Sequence, residues 1–106
     1  MRVLRHGTLT IALNGTTSTG YQPTDGVFGM LGLDTMTGTS LTFQIKTGNN
    51  STWRTVKDSS GNTVSITIND DEAVRIPDAC FPCSEIRVVS GSSELAERTI
   101  QIQVGS

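Results

Sequence analysis

The thiol pair in Cys80-Phe81-Pro82-Cys83 is the part of this chain whose residue types and spacing come nearest to chemistry. A C-x-x-C pair can supply half of a tetrahedral zinc site, act as a redox dithiol, or close as a local disulfide. Zinc needs two further ligands, and the single histidine, His6, stands near the other end of the sequence with no second cysteine pair beside it. A redox dithiol belongs at a strand-to-helix junction, whereas this pair follows Pro77-Asp78-Ala79 in strand-like surroundings. The spacing therefore favours structural thiols or a local disulfide between Cys80 and Cys83. A metal half-site shared between subunits and a redox role are the lesser alternatives.

The other polar groupings fall short in the same way. Asn69-Asp70-Asp71-Glu72 offers oxygens to a hard cation such as calcium but matches no calcium-loop spacing. Successive residues of an extended chain point to opposite faces, so a solvated hairpin turn accounts for the run more simply. His6 has no Gly-x-Ser-x-Gly elbow to serve as a base for, and it fits a surface position near the terminus. Asn14-Gly15-Thr16, Asn49-Asn50-Ser51 and Asn50-Ser51-Thr52 match the N-glycosylation pattern, as a Thr-rich chain does by chance. Trp53 or Tyr21 could stack on a sugar; Trp53, in a strand pattern with Val56 close by, suits a core or interface position better, and Tyr21 fits either role. No catalytic set, cofactor or resident metal is expected, and the chain is read as a non-enzyme.

The elements that would position these residues are short strands. Leu41, Phe43 and Ile45 alternate with Thr42 and Gln44, and Val64, Ile66 and Ile68 alternate with Ser65 and Thr67, the period of half-buried strands. Further strands are expected over residues 9–13, 27–36, 52–56, 73–76, 86–89 and 99–104. The turns between them carry Asn14-Gly15, residues 48–51, residues 58–62, residues 69–71 and residues 90–93. Residues 77–82 form a loop in which two prolines exclude regular pairing, and residues 94–98 allow one helical turn. Residues 16–26, rich in Thr, Ser, Gly, Pro and Asp, read as an exposed loop ordered by a partner. This pattern predicts an all-β fold: a single antiparallel β-sandwich, jelly-roll-like, over residues 9–106, preceded by an N-terminal arm at 1–8.

With 106 residues, 35% hydrophobic and 5% aromatic, one thin core of Val, Ile and Leu is expected. A thin core favours oligomerisation, which buries a further shared face. The net charge of −2 argues against a nucleic-acid binder, which would carry a basic stripe. Arg2 and Arg5 are followed by no apolar run of signal-peptide or membrane-span length, so synthesis in the cytoplasm and no membrane partner are expected.

Leu41-Thr42-Phe43-Gln44, the aromatic Trp53 after a Gly/Asn/Ser turn, the turn ending in Gly61, Arg87-Val88-Val89-Ser90-Gly91 and Arg98-Thr99-Ile100 follow one another in an informative order. Over residues 27–104 this order resembles small β-rich structural proteins encoded among the head genes of tailed bacteriophages. The resemblance implies a virion component on the capsid surface, a decoration or cement protein bound to the major capsid protein and assembled as a homo-oligomer, with a trimer favoured. A carbohydrate-binding or host-attachment module of a fibre, and a tail or connector component, are the alternatives. Contacts to the shell or a neighbour are expected from the arm and from the 16–26 loop, through Arg2, Arg5, His6 and Tyr21.

Overall fold

The computed structural model describes residues 4–48 and 52–106 of the chain. Eight strands follow in order: β1 (Leu4–Ile11), β2 (Phe28–Gly32), β3 (Ser40–Lys46), β4 (Arg54–Thr55), β5 (Ser65–Thr67), β6 (Ala73–Arg75), β7 (Glu85–Ser90) and β8 (Arg98–Gly105). All their pairings are antiparallel. One sheet has the order β1-β8-β2-β6; in the other, β3 pairs with β7 on one side and with β4 and β5, end to end, on the other.

Residues 16–21 complete the second sheet. Thr17 bridges Val89 and Tyr21 bridges Ile86 along the free side of β7. Counting this segment as a strand gives a long hairpin rolled on itself, in which β1 pairs with β8, 16–21 with β7, β2 with β6, and β3 with the β4–β5 edge. That is the jelly-roll arrangement, with the chain passing repeatedly between two four-stranded sheets.

The segment expected to be an exposed loop is therefore a structural strand. Its polar side chains take over ladder bonds: the Ser18 hydroxyl, nearly buried, accepts from the Val88 N–H at 3.0 Å and donates to the Thr19 carbonyl at 2.8 Å. Past Ser18 the chain turns to β1, where the Thr19 N–H donates to the Thr10 carbonyl and the Thr10 N–H to the Thr19 hydroxyl. One segment thus stitches the two sheets together along an edge.

Other boundaries moved for equally local reasons. Strand β1 starts at Leu4, so residues 4–8 are part of a sheet, not an arm. It stops at Ile11 because Asn14 adopts φ 66° and Leu13 turns out to solvent. No helical turn forms at 94–98, where the chain bends around a buried carboxylate. A 3₁₀ turn at Asp78–Cys80 falls within the expected proline loop.

Alternation decides which side chains meet between the sheets. Leu9, Ile11, Leu31, Ile76, Ile100, Ile102 and Val104 come from the first sheet, and Leu41, Phe43, Val56, Ile68, Ile86 and Val88 from the second. Each contributes about 1.5–3 kcal/mol by leaving water. Phe43 is the largest fully buried side chain, so the core is as thin and aliphatic as the composition implied. Trp53 lies outside it.

Candidate functional site

The register of the first sheet determines what faces solvent on its outer side. Leu4, Gly105 and Phe28 form one row; His6, Gln103, Met30 and Arg75 the next; Thr8, Gln101, Gly32 and Ala73 a third. Among these described residues only Arg75 carries a Lys, Arg, Asp or Glu charge, and Asp78 lies 3.3 Å from its guanidinium. The same guanidinium sits 5.8 Å from the centre of the Phe28 ring.

Small residues hollow this face. Gly32 and Ala73 leave a depression of about 290 Å³, lined also by His6, Met30, Gln101 and Gln103. Two exposed apolar side chains share this face, Leu4 at 53% and Met30 at 39% of full exposure. A flat sheet face with few charges, exposed apolar side chains and a shallow hollow can bind another protein surface, since charge depletion marks the centres of such interfaces. Alternation alone would have revealed this face, had β1 and β2 been given their correct bounds.

The expected contact residues separate on the structure. Arg2 lies outside the described residues. His6 belongs to the outer face of the first sheet. Arg5 faces the opposite side of β1, at its exposed end. Tyr21 is half-buried: its ring crosses from the β7 edge to cover Gly7 of β1, where any Cβ would overlap it. Tyr21 closes the open side of the sandwich instead of projecting as a free platform.

Cys80 and Cys83 are free thiols rather than a disulfide. Burial, with neighbouring Cys83 adding to it, pushes the Cys80 thiol up to about 12, and burial pushes Cys83 up to about 11. Neither is a thiolate near neutral pH, so neither is primed for redox exchange. Cys80 fills core space beneath β3. Among the described residues no set of three His, Cys, Asp or Glu side chains gathers to hold a metal.

Trp53 lies on the outer face of the second sheet. Its ring centre is 4.2 Å from the Arg87 guanidinium carbon and 4.7 Å from the Lys46 ammonium, so it reaches across β3 toward β7. Arg87 is held by Gln44 at 2.7 Å and Lys46 by Glu85 at 3.3 Å. The position is a cation-supported aromatic on a sheet surface, so of the expected core or interface position the core half does not hold.

A feature with no signal in the sequence is Glu94, which is 0% exposed. Its carboxylate accepts from the Thr37 N–H at 2.8 Å, the Gly38 N–H at 2.9 Å, the Ser90 hydroxyl at 2.7 Å and Arg98 Nε at 3.0 Å. A Cβ at position 38 would overlap the Ser90 hydroxyl, so glycine is required for this approach. Its backbone bonds to Asn14 and Gly15, and the Thr37 hydroxyl accepts from the Leu95 N–H and from Arg98. Three loops at one end of the sandwich are tied to one residue, two through its carboxylate and the Asn14–Gly15 loop through its backbone. Burial alone would raise this carboxyl; the hydrogen bonds from Thr37, Ser90, Gly38 and Arg98 outweigh it and hold it below the usual carboxylate value.

The fold places the chain among small two-sheet jelly-roll proteins. The crystal structure of the SPBc2 prophage-derived protein YomS matches 98% of this chain and 96% of its own, with a TM-score of 0.58 at 12% identity. PirA matches at a TM-score of 0.49 and 19% identity over 93% of this chain and 92% of its own. A Bacillus endospore appendage protein matches at 0.41 and 14% identity over 97% and 87% of the two chains. At 12% identity the likeness to YomS is one of fold. No protein-family model matches the sequence, and no curated protein matches it significantly.

Proposed function

We propose that this chain is a non-enzymatic structural protein of a bacteriophage virion, a decoration or cement protein that attaches to the major capsid protein. The observation that carries the proposal is the outer face of the first sheet, with its near absence of charge and its exposed apolar Leu4 and Met30. Such a face suits attachment to a repeated, preformed surface. The shared fold with a prophage-derived protein supports the phage context.

Quantitative mass spectrometry of purified particles tests the assignment by counting this chain against the shell subunit. A fixed high ratio is expected; a handful of copies would move it to tail or fibre, and absence from the particle would end it. Met30→Lys places an unpaired charge on the face, with only the like-charged Arg75 across from it in the register, where burial costs several kcal/mol. Occupancy on particles should fall by roughly 100-fold with the fold retained. Unchanged occupancy would show that another surface binds.

A second reading rests on Trp53, whose partly exposed ring over Arg87 could stack on a sugar. It expects glycan-array binding by the purified chain that disappears in Trp53→Ala. An array without signal removes it.

A further inference from the structure

The edge of β1 presents an unpaired hydrogen-bonding margin. In an antiparallel ladder the backbone groups of successive residues point alternately to the two sides. The Thr10 N–H and carbonyl point away from β8, since both bond to Thr19. Ile76 N–H donates to the Gly29 carbonyl, so Gly29 faces β6 and Met30 faces β8; by register, Gln103 bonds to β2, and Val104 and Ile102 bond to Arg5 and Gly7. Both routes leave Leu4, His6 and Thr8 with N–H and carbonyl groups directed off the sheet. Among the described residues no hydrogen bond reaches them. At the other free margins β4, β5 and β6 span only two or three residues.

We propose that this margin pairs antiparallel with the same margin of a second copy, about a two-fold axis at His6, to give a homodimer with one continuous eight-stranded sheet. The pattern is self-complementary, as a two-fold interface requires: His6 opposes the partner's His6, Leu4 the partner's Thr8, and Thr8 the partner's Leu4. Each opposed pair exchanges both bonds, about six in all.

The side chains agree with that register. Arg5, which has no partner among the described residues, falls opposite the partner's Gly7 and so away from its own symmetry mate. The Tyr21 ring, which fills the space over Gly7, offers the guanidinium a π face within reach of a cation–π contact. Leu4 and His6 stand on the outer face, so pairing would also join the two low-charge faces side by side. Pairing would remove the liability of an open edge. A two-fold dimer takes the place of the trimer that the family resemblance suggested. The dimer does not depend on capsid attachment and is tested on the isolated protein.

Sedimentation equilibrium of the purified chain should give a dimer. Thr8→Pro removes an N–H that bonds nothing within the protomer, which an edge position tolerates. It should weaken dimerisation by roughly 100-fold or more, while circular dichroism keeps the β spectrum. A second variant avoids proline: opposed residues of a bonded pair have Cα atoms about 5.5 Å apart, within disulfide range. Under mild oxidation His6→Cys should therefore run as a covalent dimer on non-reducing gels, and the parent chain, whose Cys80 is buried and whose Cys83 is half-buried, should not. A monomeric or trimeric parent, a Thr8→Pro dimer of undiminished affinity, or failure of His6→Cys to crosslink would each overturn the proposal.

Discussion

Replacing Glu94 by alanine should cost roughly 3–5 kcal/mol of stability, the loss expected when one partner of a buried ion pair is removed. The variant leaves the Thr37 and Gly38 N–H groups and the Ser90 hydroxyl facing a cavity, and Arg98 without its carboxylate. Each stranded donor has its own desolvation cost. Glu94→Gln keeps the shape but turns an amide N–H₂ toward some of these donors, so it should lose less than alanine and still be clearly destabilised. Urea denaturation of the three proteins at neutral pH measures both differences, and a loss below about 1 kcal/mol in Glu94→Ala would show that the loops hold without the carboxylate.

The same residue sets an acid limit. Its folded pKa lies below the unfolded one, so the native state binds fewer protons as the group titrates. The stabilisation is therefore complete above the unfolded carboxylate value and is lost as pH falls through the lower folded value. The stability gap between the parent and Glu94→Gln should be constant from neutral pH down to about 5 and narrow below it. A gap independent of pH down to acid unfolding would rule out Glu94 as a source of the acid sensitivity.

Phe43→Ala is the second large effect, with a cost of about 3–5 kcal/mol from lost transfer energy and the cavity left behind. Phe43 is fully buried on β3, a strand flanked on both sides in the second sheet, and its carbonyl accepts from the Val56 N–H at 2.9 Å. Total stabilities of small domains are only about 5–15 kcal/mol, so this substitution should bring the unfolded state within reach at physiological temperature. Trp53→Ala removes a larger side chain but only surface contacts with Arg87 and Lys46, and should cost no more than about 1–1.5 kcal/mol. Denaturation midpoints of the two variants give the comparison; equal losses would place Trp53 in the core.

That contrast shows where the sequence is informative. The alternation in β3, β7 and β8 names the inward residues directly, because a half-buried strand writes its two faces into neighbouring positions. Leu41, Phe43, Ile86, Val88, Ile100, Ile102 and Val104 are all buried. The turns at Asn14 and Gly61 are equally local, since their positive φ values limit which residues fit. From these local rules alone the sequence determined an all-β sandwich with an aliphatic core.

The tertiary structure decided what depends on partners distant along the chain. Residues 16–21 look like a polar loop because their strand character is supplied by β7, with Ser18 bonding Val88 seventy positions on. Glu94 looks like a surface acid because the N–H groups that make its burial tolerable come from Thr37 and Gly38, more than fifty positions away. Trp53 suits a core or an interface position by its neighbours in sequence, and only the register puts it on the outward face of the sheet. Nor could the free margin of β1 be seen before its pairing with β8 showed which backbone groups were already used. Hydrogen-bond partners and sheet faces are properties of long-range register, and one residue of slip exchanges inside for outside; composition and local pattern carry no record of that choice.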